Sequence, residues 1–315
     1  MFKLRLVPAK TNVPFMVYRK VAFSLSGILV VASILVLMIS GLNLGIDFRG
    51  GILVEVKTPG PANLSTMRSA LSGLGLGEVA LQEFGAPDDV LIRVERQPGD
   101  STAQQVAVDV IKETLASAVG PGIDYRRVEF VGPKVSAELL RAGSLALLFA
   151  LGAMLVYIWF RFEWQFSIGA VAALTHDVVL TFGMFAVTGL EFNLSSIAAI
   201  LTIVGYSMND TVVVYDRVRE NLRKYKKLDL AALLDLSMNN TLSRTVMTSV
   251  TTLLALLALA IFGGAVISGF TMAMMWGVFV GTYSSIFVAA PLLIFFGIRR
   301  DRGEESDEAE GAETA

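Results

Sequence analysis

The stretch FNLSSIAAILTIVGYSMNDTVVVY, residues 192–215, decides how the fold is read. A bilayer core needs ~20 mostly apolar residues per helix, and this stretch supplies them with one acidic side chain, Asp210. Five more stretches meet the same requirement: 21–42, 142–160, 166–190, 245–268 and 269–298. Composition agrees. The 315 residues are 54% hydrophobic and 17% charged, against roughly 25% charged in a soluble domain, and mean hydropathy is +0.63. A soluble enzyme and a disordered chain are both excluded. The expected class is an α-helical polytopic membrane protein of six transmembrane helices, one plus five, with an extracytoplasmic domain between the first two.

Orientation follows from where lysine and arginine collect. A basic leader, residues 1–20, carries Lys3, Arg5, Lys10, Arg19 and Lys20. The apolar run after it, 21–42, is too long for a signal peptide and lacks a small-residue cleavage site, so it reads as a retained span. The connection after the fourth span holds Arg217, Arg219, Arg223, Lys224, Lys226 and Lys227, and the tail holds Arg299, Arg300 and Arg302. The turns 190–193 and 263–269 hold none. Both termini are therefore expected in the cytoplasm, with residues 43–138 outside and helices two to six within 139–298. Residues 299–315 read as a partly disordered acidic tail. A net charge of −2 gives no support for nucleic-acid binding. The absence of cysteine removes disulfides and thiol chemistry.

The outside segment alternates with period two at Ile52, Val54 and Val56, at Val79 and Leu81, and at Val90, Ile92 and Val94, which predicts three strands. Helices are predicted over 64–74 and from Ser101, where Gln104 gives capping-box spacing. The second helix is expected to bury Val106, Val110 and Leu115 or their neighbours. A last strand over 123–131 slips phase at Arg126 and Arg127, where a bulge is expected. Strand, helix, strand, strand, helix, strand is the ferredoxin-like arrangement, which names no function by itself.

No GxxxxGK[ST], HExxH or GxSxG occurs, so ATP-driven, zinc and nucleophilic-serine chemistry lack their parts. Glycines 73, 75 and 77 follow a helix and precede a strand, the reverse of a phosphate loop. They read as a turn. No enzyme activity, cofactor, metal or catalytic residue is expected. What remains is charge inside the membrane: His176, Asp177 and Asp210. Such residues are costly there and are functional candidates by default.

Asp210 is about five residues from the end of its span, with Thr202, Tyr206 and Asn209 placed on its side by i, i+3/i+4 spacing. It is either a coupling carboxylate or a helix-end carboxylate reaching for water. Span five enters from the same side with Arg244, then Thr248, Thr251 and Thr252. Arg244 is either its partner or a positive-inside anchor. A carboxylate paired with arginine stays ionised, and one left in an apolar setting takes up a proton. Alternation between the two settings loads and releases a proton. His176 and Asp177 point about 100° apart on a helix, and both a proton-path role and a structural hydrogen bond fit them. Ala273, Gly277, Gly281, Ser285 and Ala289 form a stripe of small residues that reads as a packing face.

Four motifs together, GIDFRGG at 45–51, VGP at 131–133, THD at 175–177 and the stretch 205–217, resemble the SecD/SecF family of the bacterial protein-secretion machinery, on its smaller, SecF side. The likeness runs from about Arg19 to Arg300. The span layout also resembles half of a resistance-nodulation-division transporter. The resemblance implies a multi-pass protein of the bacterial cytoplasmic (inner) membrane, surrounded by lipid and paired with SecD. It further implies association with the SecY–SecE–SecG channel and use of the proton gradient, or sodium in some relatives, to help pull unfolded polypeptides outward. The family's buried aspartate falls on Asp210 in the Asn209–Asp210 motif, and its span-five arginine on Arg244. The 45–51 turn is expected to set the outside domain's attachment, with no catalytic role for Asp47 or Arg49. Two alternatives stand beside this one: a small-molecule exporter of the resistance-nodulation-division type, and a passive assembly factor whose intramembrane charges only hold helices together.

Overall fold

A computed structural model of the chain describes residue 8 and residues 11–99, 101–264 and 267–298. The basic residues of the leader up to Lys10 and the acidic tail lie outside these. Among the described residues, six helices are long and apolar enough to cross a membrane. A single 3-10 turn, Phe15–Tyr18, leads into α1, Arg19–Ser40. The one-turn helix α2, Ile46–Arg49, opens the sheet domain. Helix α5, Pro133–Arg161, starts on a proline, tolerated there because the first-turn N–H has no partner to lose. Helix α6, Trp164–Thr188, stops at Gly189 in the left-handed conformation. Helix α7, Leu194–Lys224, begins with a reciprocal box between Asn193 and Ser196. Helix α8, Leu230–Phe262, is capped by Asp229. The sixth span is α9, Ser268–Ser284, a π-helical turn, Ser285–Ala289, and α10, Ala290–Phe295.

Two expectations from the sequence change. The charged connection after the fourth span is mostly helix, since α7 runs on to Lys224 and α8 starts at Leu230. Apolar content alone marked where a bilayer would end, not where hydrogen bonding continues into water. The fifth helix also closes at Phe262 rather than Ser268, where glycines 263 and 264 interrupt it.

The spans form two layers. Half or more of the most apolar window is buried inside the protein in the third, fourth and sixth, against 11%, 11% and 17% in the first, second and fifth. Helices α6, α7 and α9 are therefore the core, and α1, α5 and α8 present apolar side chains outward. The small-residue stripe explains how closely α9 approaches α7: a Cβ on Gly277 would collide with Ile203, and one on Gly281 would press on Ser207.

The sheet domain has the expected order: β1 (Gly51–Lys57), α3 (Leu64–Ser72), β2 (Val79–Phe84), β3 (Ala86–Val94), α4 (Ser101–Val119) and β4 (Asp124–Val131). The sheet runs β2-β3-β1-β4, with every neighbouring pair antiparallel. Register slips between Glu55 and Val56 so that Arg126 has no partner on β1, which is the predicted bulge. Ile52, Val54, Val56, Val90, Ile92 and Val94 pack on Met67, Leu71, Val108, Ile111 and Leu115 from the two helices. Each such side chain withdrawn from water stabilises by roughly 1.5–3 kcal/mol. Helix α4 is rotated from its expected phase: Val106 is exposed and Ala107 and Val108 are buried. Its expected capping box falls partly outside the described residues, and Gln104 bonds the backbone of Gln97 instead.

The domain is tied to the spans by the turn at 43–51. The Phe192 N–H donates to the Asn43 carbonyl (2.8 Å), and the Gly45 N–H to the Phe192 carbonyl (2.9 Å). Asn43 donates to the Gly189 carbonyl (2.8 Å), and Asp47 accepts the first free N–H of α7, from Leu194 (2.9 Å), a position that favours an anion. Gly51 has φ +121, and a Cβ there would strike the Val94 carbonyl. Only glycine fits that crossing.

Candidate functional site

The carboxylates inside the bundle are held by hydroxyls from neighbouring helices. Asp210 on α7 is 8% exposed. One of its oxygens accepts from Thr245 of α8 at 2.6 Å, and the other from Ser285, the first residue of the π-turn. Asp177 on α6 is fully buried. Its Oδ2 accepts from Ser207 of α7 and, at 2.7 Å, from Ser284, the last residue of α9. Its Oδ1 lies 2.9 Å from His176 Nδ1. Consecutive serines thus hold two different carboxylates where α9 passes into the π-turn.

The turn itself has a local cause. Pro291 follows it at the start of α10 and has no N–H to return to the preceding turn, so the hydrogen-bond ladder is already broken there. The Ala289 carbonyl accepts from the Tyr215 hydroxyl (3.0 Å), and Tyr215 is fully buried against Phe162 and Phe166. Irregular helix of this kind recurs at functional sites.

The residues singled out from sequence divide into two faces. Tyr206 is half-buried and donates to Ser249 of α8 (3.3 Å), which bonds Thr282 of α9 (2.7 Å). Asn209 and Thr202 are exposed, on the outward side of α7, while Ile203, Ser207, Asp210 and Val214 face in. Arg244 is also exposed, and among the described residues no ion pair within 4.0 Å joins it to Asp210. The neighbour Thr245 makes the contact instead. Thr248 is half-buried and donates to the Thr245 carbonyl (3.0 Å). Ser285 leaves the packing stripe and becomes a ligand of Asp210, while Gly277 and Gly281 remain the α7–α9 contact. His176 and Asp177 do face different neighbours, the ring stacking on Tyr283 of α9 (6.2 Å), yet they also bond each other.

Sequence reasoning passed over Thr245, Ser207 and Ser284. The signal was present, because Ser207 is one helical turn from Asp210 and Ser284 adjoins Ser285. Small hydroxyls in an apolar helix read as packing until the partner carboxylate is placed opposite. Among the described residues no cluster of three or more histidine, aspartate or glutamate side chains could hold a metal.

A second charged group of interest lies outside the spans. Glu191, between α6 and α7, approaches Arg93 of β3 (4.0 Å), which also donates to Asn43 (3.1 Å). Burial pushes the Glu191 carboxyl above its ordinary range; Arg93 opposes this and Asp47 adds to it.

Comparison with known proteins places this arrangement. The family described as protein export membrane protein SecD/SecF, C-terminal, matches residues 110–299, and the SecD/SecF GG motif matches residues 36–58. Protein translocase subunit SecF of Rickettsia bellii is 47% identical over 299 residues, covering 95% of this chain and 98% of the relative. The Rickettsia felis protein of the same name is 48% identical over 301 residues, covering 95% and 96%. The crystal structure of SecDF, a translocon-associated membrane protein from Thermus thermophilus, superposes with a TM-score of 0.82 at 36% identity. It covers 94% of this chain, which in turn spans 40% of that longer one. SecDF in a super-membrane-facing form gives 0.67 at 35% identity. The GG motif is the glycine turn that docks the sheet domain on α7, and the C-terminal region contains both buried carboxylates. The chain belongs to the SecD/SecF family of protein-export membrane proteins, on its SecF branch.

Proposed function

We propose that this chain pairs with a SecD-type partner beside the SecY–SecE–SecG channel of the bacterial cytoplasmic membrane and uses the proton gradient to help draw unfolded polypeptides outward. Its work in this reading is mechanical, with no covalent chemistry. One observation carries the proposal: Asp210 is a buried carboxylate held, among the described residues, by the hydroxyls of Thr245 and Ser285, from two other helices. A carboxylate in that position changes its bonding when it gains a proton, because the acid form has a hydrogen to donate and one acceptor site fewer. Helices α8 and α9–α10 then have reason to shift against α7. Arg244 stands one residue from Thr245, exposed, and supplies the alternative partner when α8 turns. Asn209 and Thr202 of α7 and Thr251 and Arg244 of α8 are all exposed. Polar groups at this depth face protein or water rather than lipid, so the partner packs over them. Both termini are then cytoplasmic and the sheet domain is outside.

One charge crossing 100 mV releases ~2.3 kcal/mol, comparable to one or two hydrogen bonds to a charged group. The test is release of a secreted protein from inverted vesicles, with and without a proton gradient, for wild type and Asp210→Asn. Gradient-stimulated release should vanish in the variant while the complex with the partner stays assembled. An equal gradient response in both would refute the coupling role and leave Asp210 as helix-holding polarity.

A further inference from the structure

His176 and Asp177 are not used by the mechanism above, and their surroundings are unusual. Asp177 accepts three hydrogen bonds and is completely buried. A carboxylate accepts only, so the proton between it and His176 sits on Nδ1, and in the neutral ring Nε2 is the acceptor nitrogen. That Nε2 is buried and has no hydrogen-bond partner. Buried polar atoms are nearly always bonded, and each exception calls for an explanation. An imidazole with one nitrogen held by a carboxylate and the other free is the arrangement in which histidine serves as a proton acceptor. The other titratable groups that the packed helices bring to the pair are Tyr283 of α9, stacked on the ring and bonded to Ser26 of α1, and Asp210, three residues along α7 from the Asp177 partner Ser207. Among the described residues, His176 is the one cation-forming group within 4.0 Å of Asp177.

We propose that His176 and Asp177 form a second proton-binding site, in series with Asp210 and on the sheet-domain side of it. This rests on the reading of Asp210 as the coupling carboxylate. The order follows from α7, which starts at the sheet side. Ser207, the α7 ligand of Asp177, precedes Asp210 by three residues, about 4.5 Å along the axis. A proton arriving from the sheet side binds Nε2 and turns the neutral ring and carboxylate into an imidazolium–carboxylate pair; its departure restores the starting state. The two sites communicate through a shared element rather than an unbroken hydrogen-bond wire. Asp177 holds Ser284 and Asp210 holds Ser285, so a proton gained at the His176–Asp177 pair or at Asp210 biases the same junction of α9 with the π-turn. Two sites that act on one element are coupled.

The chain contains one histidine, which makes the test direct. The full chain, labelled with 15N-histidine and purified without a histidine tag, is reconstituted with its unlabelled partner subunit in lipid nanodiscs. The ring nitrogens are followed by NMR from pH 8 to pH 5. The neutral pattern, with Nδ1 protonated, should give way to the imidazolium pattern. At a fixed intermediate pH the imidazolium fraction should fall in Asp177→Asn, and in Asp210→Asn the midpoint should move by about one pH unit if the sites are strongly coupled. A ring that keeps one tautomer over the whole range in wild type overturns the proposal, whether or not the variants fold. A ring that titrates with an Asp210→Asn midpoint unmoved overturns the connection in series. The vesicle assay is independent. If Asp210→Asn abolishes the gradient effect while the ring is silent, this inference alone fails; if the ring titrates while Asp210→Asn exports normally, the Asp210 reading fails instead.

Discussion

Glu191 shows how one side chain reports on the attachment of the sheet domain. Burial lifts its carboxyl above the ordinary range and Arg93 only partly offsets that, so the folded protein holds this proton more tightly than the unfolded chain does. Such a group contributes stability that is present below the unfolded pKa and is lost as pH rises through the folded one. Glu191→Gln removes the dependence. The variant should therefore melt above wild type at pH 8, and the gap should close as pH falls towards 4.5, read from Tm in detergent at matched salt. A gap that widens on acidification would mean that the Arg93 contact outweighs desolvation. Ser285→Ala is the corresponding change inside the bundle. It leaves Asp210 with Thr245 alone and forfeits a hydrogen bond to a charged acceptor, worth about 1.5–3 kcal/mol. The helices should remain assembled while gradient-stimulated release drops, because α9–α10 no longer responds to Asp210.

At the scale of elements, the close approach of α9 to α7 depends on residues without side chains. Gly277→Leu must push Ile203 aside, and overpacking of this kind costs about 1–3 kcal/mol. Gly205→Ala, on the open outward face of the same α7 with nothing within 4 Å of the new Cβ, should be neutral or stabilise by about 0.5–1 kcal/mol. Thermal melts of the two variants of the isolated chain separate an internal packing face from an outward one. This contrast also explains what the sequence could reveal. A stripe of small residues announces that something packs there, and the alternation at Ile52, Val54 and Val56 announces a strand, because both patterns are local. The face of α7 was harder, since Asn209 and Asp210 are neighbours and only the placement of α8 and α9 shows that one points out and the other in. Thr245 was hidden for the same reason beside the more conspicuous Arg244. The hydrogen bonds that define the site run between helices far apart in sequence, and hydroxyls carry no periodic signature that marks their partner.

For the whole molecule the question is how a change at Asp210 reaches the sheet domain. Asp210 is sixteen residues from Leu194, about 24 Å along one continuous helix, and Leu194 is where Asp47 of the glycine turn is bonded. Gly45 and Asn43 bond the same stretch of chain. A cavity of about 460 Å³ lies beside this strap, with Arg127, Glu129 and Glu191 in its wall, while Leu53 and Leu91 of the sheet's second face pack on Ile46 of the strap. The domain should accordingly ride on α7 and not swing about its attachment. The chain has no cysteine of its own, which permits a clean test. Arg93→Cys and Glu191→Cys, joined by a short bifunctional thiol-alkylating linker such as a bis-maleimide, fix the sheet to the α6–α7 turn. Gradient-stimulated release should survive this lock at the level of the unlinked pair. Cutting the strap with Asn43→Ala and Asp47→Ala should lower it several-fold, with partner assembly unchanged. The opposite result, a lock that abolishes release and a cut strap that spares it, would make rotation about the glycine turn the working motion and move the hinge from inside the bundle to Gly50 and Gly51.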